Sequence, residues 1–234
     1  MSAQSMASSR SRRNARVHSD DVVLERALRF SSWAQANLKV LITVAVVVVA
    51  LALAGVYAWY SHREHQREAA TAFQQVEARV NPANPALAAR DLKGFIDQYG
   101  GTVYGQEARI QLAQVHLLAG EPKQAVTALQ GAEEWVGESE VGAQGALILA
   151  AAQAAAGQRD AAIATYLKVA DAARFDYRKV DALQNAAELR AQANDFAGAA
   201  ALYQRIVEMS PAGTPNHTLY EMRAAEATAR AEAK

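Results

Sequence analysis

LAGEPKQAVTAL, residues 118–129, returns in altered form as AAGQRDAAIATY at 155–166 and again as AQANDFAGAAALY at 191–203. Aligned on Gly120, Gly157 and Asn194, the three phrases stand 37 residues apart. The register reaches well beyond them. Eight residues before each anchor stand Leu112, Leu149 and Ala186, and seven before stand Ala113, Ala150 and Ala187. Five after stand Ala125, Ala162 and Ala199, nine after stand Leu129, Tyr166 and Tyr203, and twelve after stand Ala132, Val169 and Ile206. A glycine or asparagine is the residue that ends a helix in the left-handed conformation. A short polar turn with Pro122 or Asp195 then starts a second helix. Small alanines at close-approach points let the two helices pack, and one large residue from the second fills the gap between them. One such hairpin cannot bury its apolar stripe alone, so neighbours must stack.

This unit resembles the tetratricopeptide repeat, a helix–turn–helix of similar length. Three units match over residues 106–211, with Pro211 closing the last, and residues 67–99 resemble a degenerate fourth. The period is about three residues longer than usual, which predicts longer inter-unit turns such as GESEVG at 137–142. The family's early tryptophan is replaced by Arg109, Ala146 and Leu183. Apolar residues elsewhere recur at three and four, not at two, so the expected fold is all-α: a helical solenoid behind an N-terminal membrane helix.

The membrane helix is read from VLITVAVVVVALALAGVYAWY, residues 40–60, which holds no charge. At about 1.5 Å per residue, a helix of that length spans about 31 Å, close to the hydrocarbon thickness of a bilayer. Eleven of these residues are Val, Leu or Ile, each favouring insertion by about 0.3–0.6 kcal/mol near the centre. Tyr57, Trp59 and Tyr60 form an interfacial belt at one end; Trp33 and Lys39 mark the other. A cleaved signal peptide would have a shorter leading region and a shorter apolar run, so an uncleaved anchor is expected. Residues 1–39 carry seven basic residues against three acidic ones, and the remainder has the compensating acidic excess. The positive-inside rule then puts the N-terminus in the cytoplasm and the C-terminal part across the membrane, periplasmic in a cell with two membranes. The acidic body offers no basic patch for nucleic acid.

Around this span the chain divides into expected segments. Residues 1–18 form a disordered cytoplasmic tail, 19–39 a juxtamembrane helix, 40–60 the transmembrane helix, and 61–105 a linker helix with the degenerate pair. Residues 106–211 are the three repeats and 212–234 a capping helix. In the linker, Ala69, Ala72, Phe73, Val76 and Val80 form a stripe; NPANP (81–85) and GGTVYG (100–105) are breaks. Asn216 is the expected cap of the last helix, and Leu219, Met222, Ala225 and Ala229 its expected apolar side.

The chain has no cysteine, and it shows no phosphate loop, nucleophile elbow or metal-ligand cluster. His62 and His65 with Glu64 and Glu68 have spacings that suit a metal; a solvated interfacial helix with charge pairs is the simpler reading. His116 reads as a packed or groove-lining residue. Glu133 and Glu134 point to different faces and form no acid–base dyad. No cofactor and no enzymatic activity are expected. In the repeat family the first helices line a concave side that commonly binds extended peptides. That resemblance makes Glu107, Gln114, Gln144, Asp181, Gln184 and Glu188 the protein-binding candidates.

The arrangement also resembles the YfgM-type ancillary subunits of the bacterial SecYEG translocon. The most specific parts are the aromatic-flanked span running into SHREHQREAATAF (61–73) and YGGTVYGQEARIQLAQVHLLAGE (99–121). The resemblance covers residues 22–210 and implies an inner-membrane protein whose partners are translocon components, a periplasmic chaperone and nascent exported chains. The arginine-rich start and extra C-terminal helix depart from the family's pattern. The other reading is a structural or assembly subunit of a different envelope complex.

Overall fold

The computed structural model describes residues 37–81 and 84–233. The disordered tail and most of the juxtamembrane helix expected for residues 1–39, like Pro82 and Ala83 of the first break, lie outside them. The chain divides into a unit up to His62 and a unit from Arg63 onward. Among the described residues the secondary structure is helical throughout.

In the first unit, α1 (Leu38–Glu77) carries the apolar run. Val40, Val44, Val46–Val49, Leu51, Leu53 and Val56 are all at least half exposed, and α1 is long and apolar enough to cross a membrane. Among the described residues no protein surface covers these side chains, which is the pattern of a helix able to cross a membrane.

In the second unit, the end of α1 packs on α2 (Pro85–Tyr99). Ala69 and Phe73 meet Leu92 and Phe95, with Ala108 and Leu112 completing the cluster. Three hairpins follow: α3 (Val103–Leu118) with α4 (Pro122–Ala128), α5 (Glu140–Ala155) with α6 (Arg159–Ala172), and α7 (Asp176–Gln192) with α8 (Phe196–Met209). The last helix, α9 (Pro215–Glu232), packs on α8.

The anchors behave alike. Gly120, Gly157 and Asn194 have φ of 75°, 78° and 62°. After each, the next amide donates back to the carbonyl five residues earlier: Glu121 to His116 at 2.8 Å, Gln158 to Gln153 at 2.8 Å, and Asp195 to Arg190 at 2.9 Å. The anchor amides themselves reach Leu117, Ala154 and Ala191. This is one Schellman closure written three times, and it satisfies the carbonyls that a helix end leaves orphaned. All fifteen side chains aligned above are buried, Leu112 being among the least enclosed at 4% and Tyr166 and Tyr203 at 5%. Leu183 and Ile206 are fully enclosed, each contributing about 1.5–3 kcal/mol by burial.

Three local expectations are corrected. The breaks at 100–105 and 137–142 end early, because Thr102 and Ser139 act as N-caps, accepting from the amides of Gly105 and Gly142 at 3.0 Å, and the helices start at Val103 and Glu140. Thr214, not Asn216, caps α9, accepting from the His217 amide at 3.3 Å. The buried side of α9 is Tyr220, Ala224 and Ala227, while Leu219, Met222, Ala225 and Ala229 face outward. In the 37-residue register α9 is a further first helix, with Tyr220 and Ala224 at the positions of the buried Leu183 and Ala187.

One irregularity matters below. α4 has 7 residues, whereas α6 and α8 have 14 each. Gly131, at φ 84°, turns the chain into a short 3-10 segment, Ala132–Glu134; Lys168 and Arg205 hold the same register position inside the two full helices.

Candidate protein-interaction site

The first helices α3, α5 and α7 present the polar candidates. Glu107, Gln144 and Asp181 share one register position, a ladder with one rung per hairpin. Glu107 and Gln144 are half-buried and Asp181 exposed; Gln114 is exposed on the last turns of α3. These three residues of α3 and α5 stand apart from the group on α7.

On α7 the other candidates come together. The Gln184 amide donates to Glu188 Oε1 at 2.9 Å, and the Tyr220 hydroxyl of α9 donates to Gln184 Oε1 at 2.7 Å. Arg223 of α9 lies 3.8 Å from Glu188 Oε1 and over the Tyr203 ring at 5.9 Å. Tyr203 and Tyr220 stack at 6.2 Å. Asn185 donates to the Asp181 carboxylate at 2.9 Å. Gln184 and Glu188 are therefore committed to holding α9, and Asp181 is the more accessible member. Tyr166, Tyr203, Tyr220 and Arg223 belong to this group; the sequence marks the first two as gap fillers and none of the four as a binding residue. Their signal was present: the two tyrosines recur at the gap-filling position, facing the acidic first helix that follows.

Burial, and after it the Asp181 and Glu188 carboxylates, push the Tyr166 hydroxyl up to about 12. A tyrosine whose folded pKa is raised keeps its proton longer in the fold than in the open chain, so it contributes stability that is present below about pH 10 and lost as pH rises toward 12. Urea unfolding across that window should show a stability slope that Tyr166→Phe reduces; an unchanged slope would contradict this account.

At the start of α7, the Tyr177 hydroxyl and Arg178 both bind Glu140 of α5, Arg178 Nε at 2.7 Å. The Tyr177 hydrogen bond, then that of Arg178, holds the Glu140 carboxyl below its ordinary range. This ties neighbouring hairpins at corresponding positions. His116 is 5% exposed, its Nδ1 2.8 Å from Glu121 Oε2. His65 packs at a tilt against Tyr99, ring centroids 5.2 Å apart, and Glu64 pairs with Arg67 at 3.3 Å. Among the described residues no group of three metal-ligating side chains gathers. The chemistry on offer is surface recognition: ladders of polar groups on stacked helices.

A family model described as a tetratricopeptide repeat-like domain matches residues 31–223. Comparison with curated proteins and with solved structures found no match.

Proposed function

Because the chain belongs to the tetratricopeptide repeat-like domain family, we propose that it is a membrane-anchored scaffold that binds other proteins, acting as an ancillary subunit of the Sec translocon in a bacterial inner membrane. The N-terminus is cytoplasmic and the repeats periplasmic, where they assist exported chains together with periplasmic chaperones. Glu107, Gln114, Gln144 and Asp181 contact the partner directly; Gln184 and Glu188 contribute through the α7–α9 group. The observation that carries this reading is the joining of three hairpins in one 37-residue register to an uncharged span of 21 residues. Stacked repeats of this kind expose extended surfaces that serve binding, not chemistry. The positive excess before the span supports placing the repeats on the far side of the membrane from the N-terminus.

The test is photocrosslinking in cells of the full chain with a photoreactive residue at Glu107 or Asp181, followed by mild detergent extraction and mass spectrometry. Adducts with translocon components are expected. Adducts confined to another envelope assembly would replace this assignment with the assembly-subunit reading.

A further inference from the structure

Two adjoining cavities lie along the groove between α2, α3 and α4. The larger, about 440 Å³, is lined by Ile96, Leu112 and Ala128 below and by Lys93, Arg109 and Asp97 at its rim. The smaller, about 420 Å³, continues from it through Lys93, His116 and Gln124 toward Arg90 and Ala89. The larger one lies against Thr127 and Ala128, at the point where α4 stops. Departures from an otherwise regular repeat are where function is expected.

The furrow's charges are unevenly settled. Glu121 is held by His116 and Arg90 sits beside Asp91 at 3.5 Å. Lys93 is exposed and finds no ion-pair partner among the described residues. Arg109 spreads over the Trp135 ring at 6.0 Å, and its Nε is buried without a hydrogen-bond partner among the described residues. Lys93 and Arg109, with the Asp97 carboxylate also on the rim, border an aliphatic floor in an open furrow longer than one side chain.

We infer that this furrow docks an extended acidic segment of a partner protein, with an aliphatic side chain on Ile96, Leu112 and Ala128 and a carboxylate held by Lys93 and Arg109. The site lies between successive second helices, on a different surface from the ladder of first-helix residues. It rests only on the chain's being a protein-binding scaffold, not on the translocon assignment. An internal segment fits better than a chain end, because the furrow continues past the cations into the second cavity. Arg109 supplies a fixed fork for the carboxylate, while Lys93 supplies a mobile point charge.

The test uses the full chain in detergent micelles and three fluorescein-labelled peptides read by anisotropy. One alternates glutamate with leucine and is amidated at its C-terminus. The second replaces glutamate with glutamine, and the third is the glutamine peptide with a free C-terminal carboxylate. The glutamate peptide should bind at least about tenfold more tightly than the amidated glutamine peptide. Lys93→Glu should weaken it about tenfold by reversing one of the two charges. Thr127→Trp, which fills the furrow from an exposed position, should abolish binding, and Asp181→Ala on the far ladder should leave it unchanged. No binding of the glutamate peptide, or binding that survives both Lys93→Glu and Thr127→Trp, overturns the inference. Equal binding of the free-carboxylate glutamine peptide overturns it in favour of a chain end. Loss of the cellular adducts at Asp181 with peptide binding intact removes the translocon assignment alone; the reverse result removes the furrow alone.

Discussion

Gly142→Ala should destabilise the repeat domain by about 3 kcal/mol, the cost typical of forcing a group into a packed interior. Gly142 sits in the first turn of α5, where a Cβ would come 2.1 Å from the Trp135 carbonyl oxygen and 2.6 Å from its carbon. Backbone cannot swing aside as a side chain can, so the turn before α5 must shift and the Ser139 cap with it. Thermal unfolding of the full chain, followed by circular dichroism, should fall by about 6–12 °C. Gly94→Ala is the matched control. It lies mid-helix in α2, exposed, with nothing within 4 Å of the added carbon, and should instead gain about 0.5–1 kcal/mol from the better helix former. Equal melting temperatures for wild type and Gly142→Ala would remove the close-approach explanation.

The second large effect is on the membrane. Val49 and Leu51, 56% and 68% exposed, occupy the middle of the apolar run of α1. The double substitution Val49→Arg and Leu51→Arg adds about 2.5–3.5 kcal/mol per arginine at the helix centre. That matches or exceeds the whole favourable sum of the eleven branched aliphatic residues. The variant should leave the carbonate-washed membrane pellet and appear in the soluble fraction or be degraded; wild type should stay in the pellet. Retention of the double variant in the washed pellet would mean that something other than this helix holds the chain to the membrane.

Much of the fold was legible because its signals were local and repeated. A left-handed glycine or asparagine, an alanine at each close approach and one large gap filler are each demanded by the hairpin's geometry, so their spacing betrays it. What was missed is where one residue type serves two ends. Gly105 and Gly142 read as turn residues, yet both lie inside helices, where lack of a side chain admits a neighbouring backbone. In α9, Leu219 and Met222 are the larger aliphatic residues and by pattern belong to the core side, but Tyr220, Ala224 and Ala227 are buried instead. A terminal first helix has two apolar sides and only one neighbour, and pattern alone does not say which side finds it. The early end of α4 depended on Gly131 adopting a positive φ, a choice the surrounding QGAEEW does not dictate. The candidate ladder was placed by register. The joining of Gln184 and Glu188 to Tyr220 and Arg223 needed the path of α9, 36 and 35 residues further along the chain.

The short α4 also sets how the stack answers a pull. Every substantial helix–helix contact in the second unit joins a hairpin to itself or to the next one, so tension entering at Arg63 is handed along hairpin by hairpin, with no strap across the whole. The α3–α4 pair has half as many residues in its second helix as its neighbours have, hence fewer rungs to shear. Among the three hairpins, a load entering from Arg63 therefore meets the shortest second helix first.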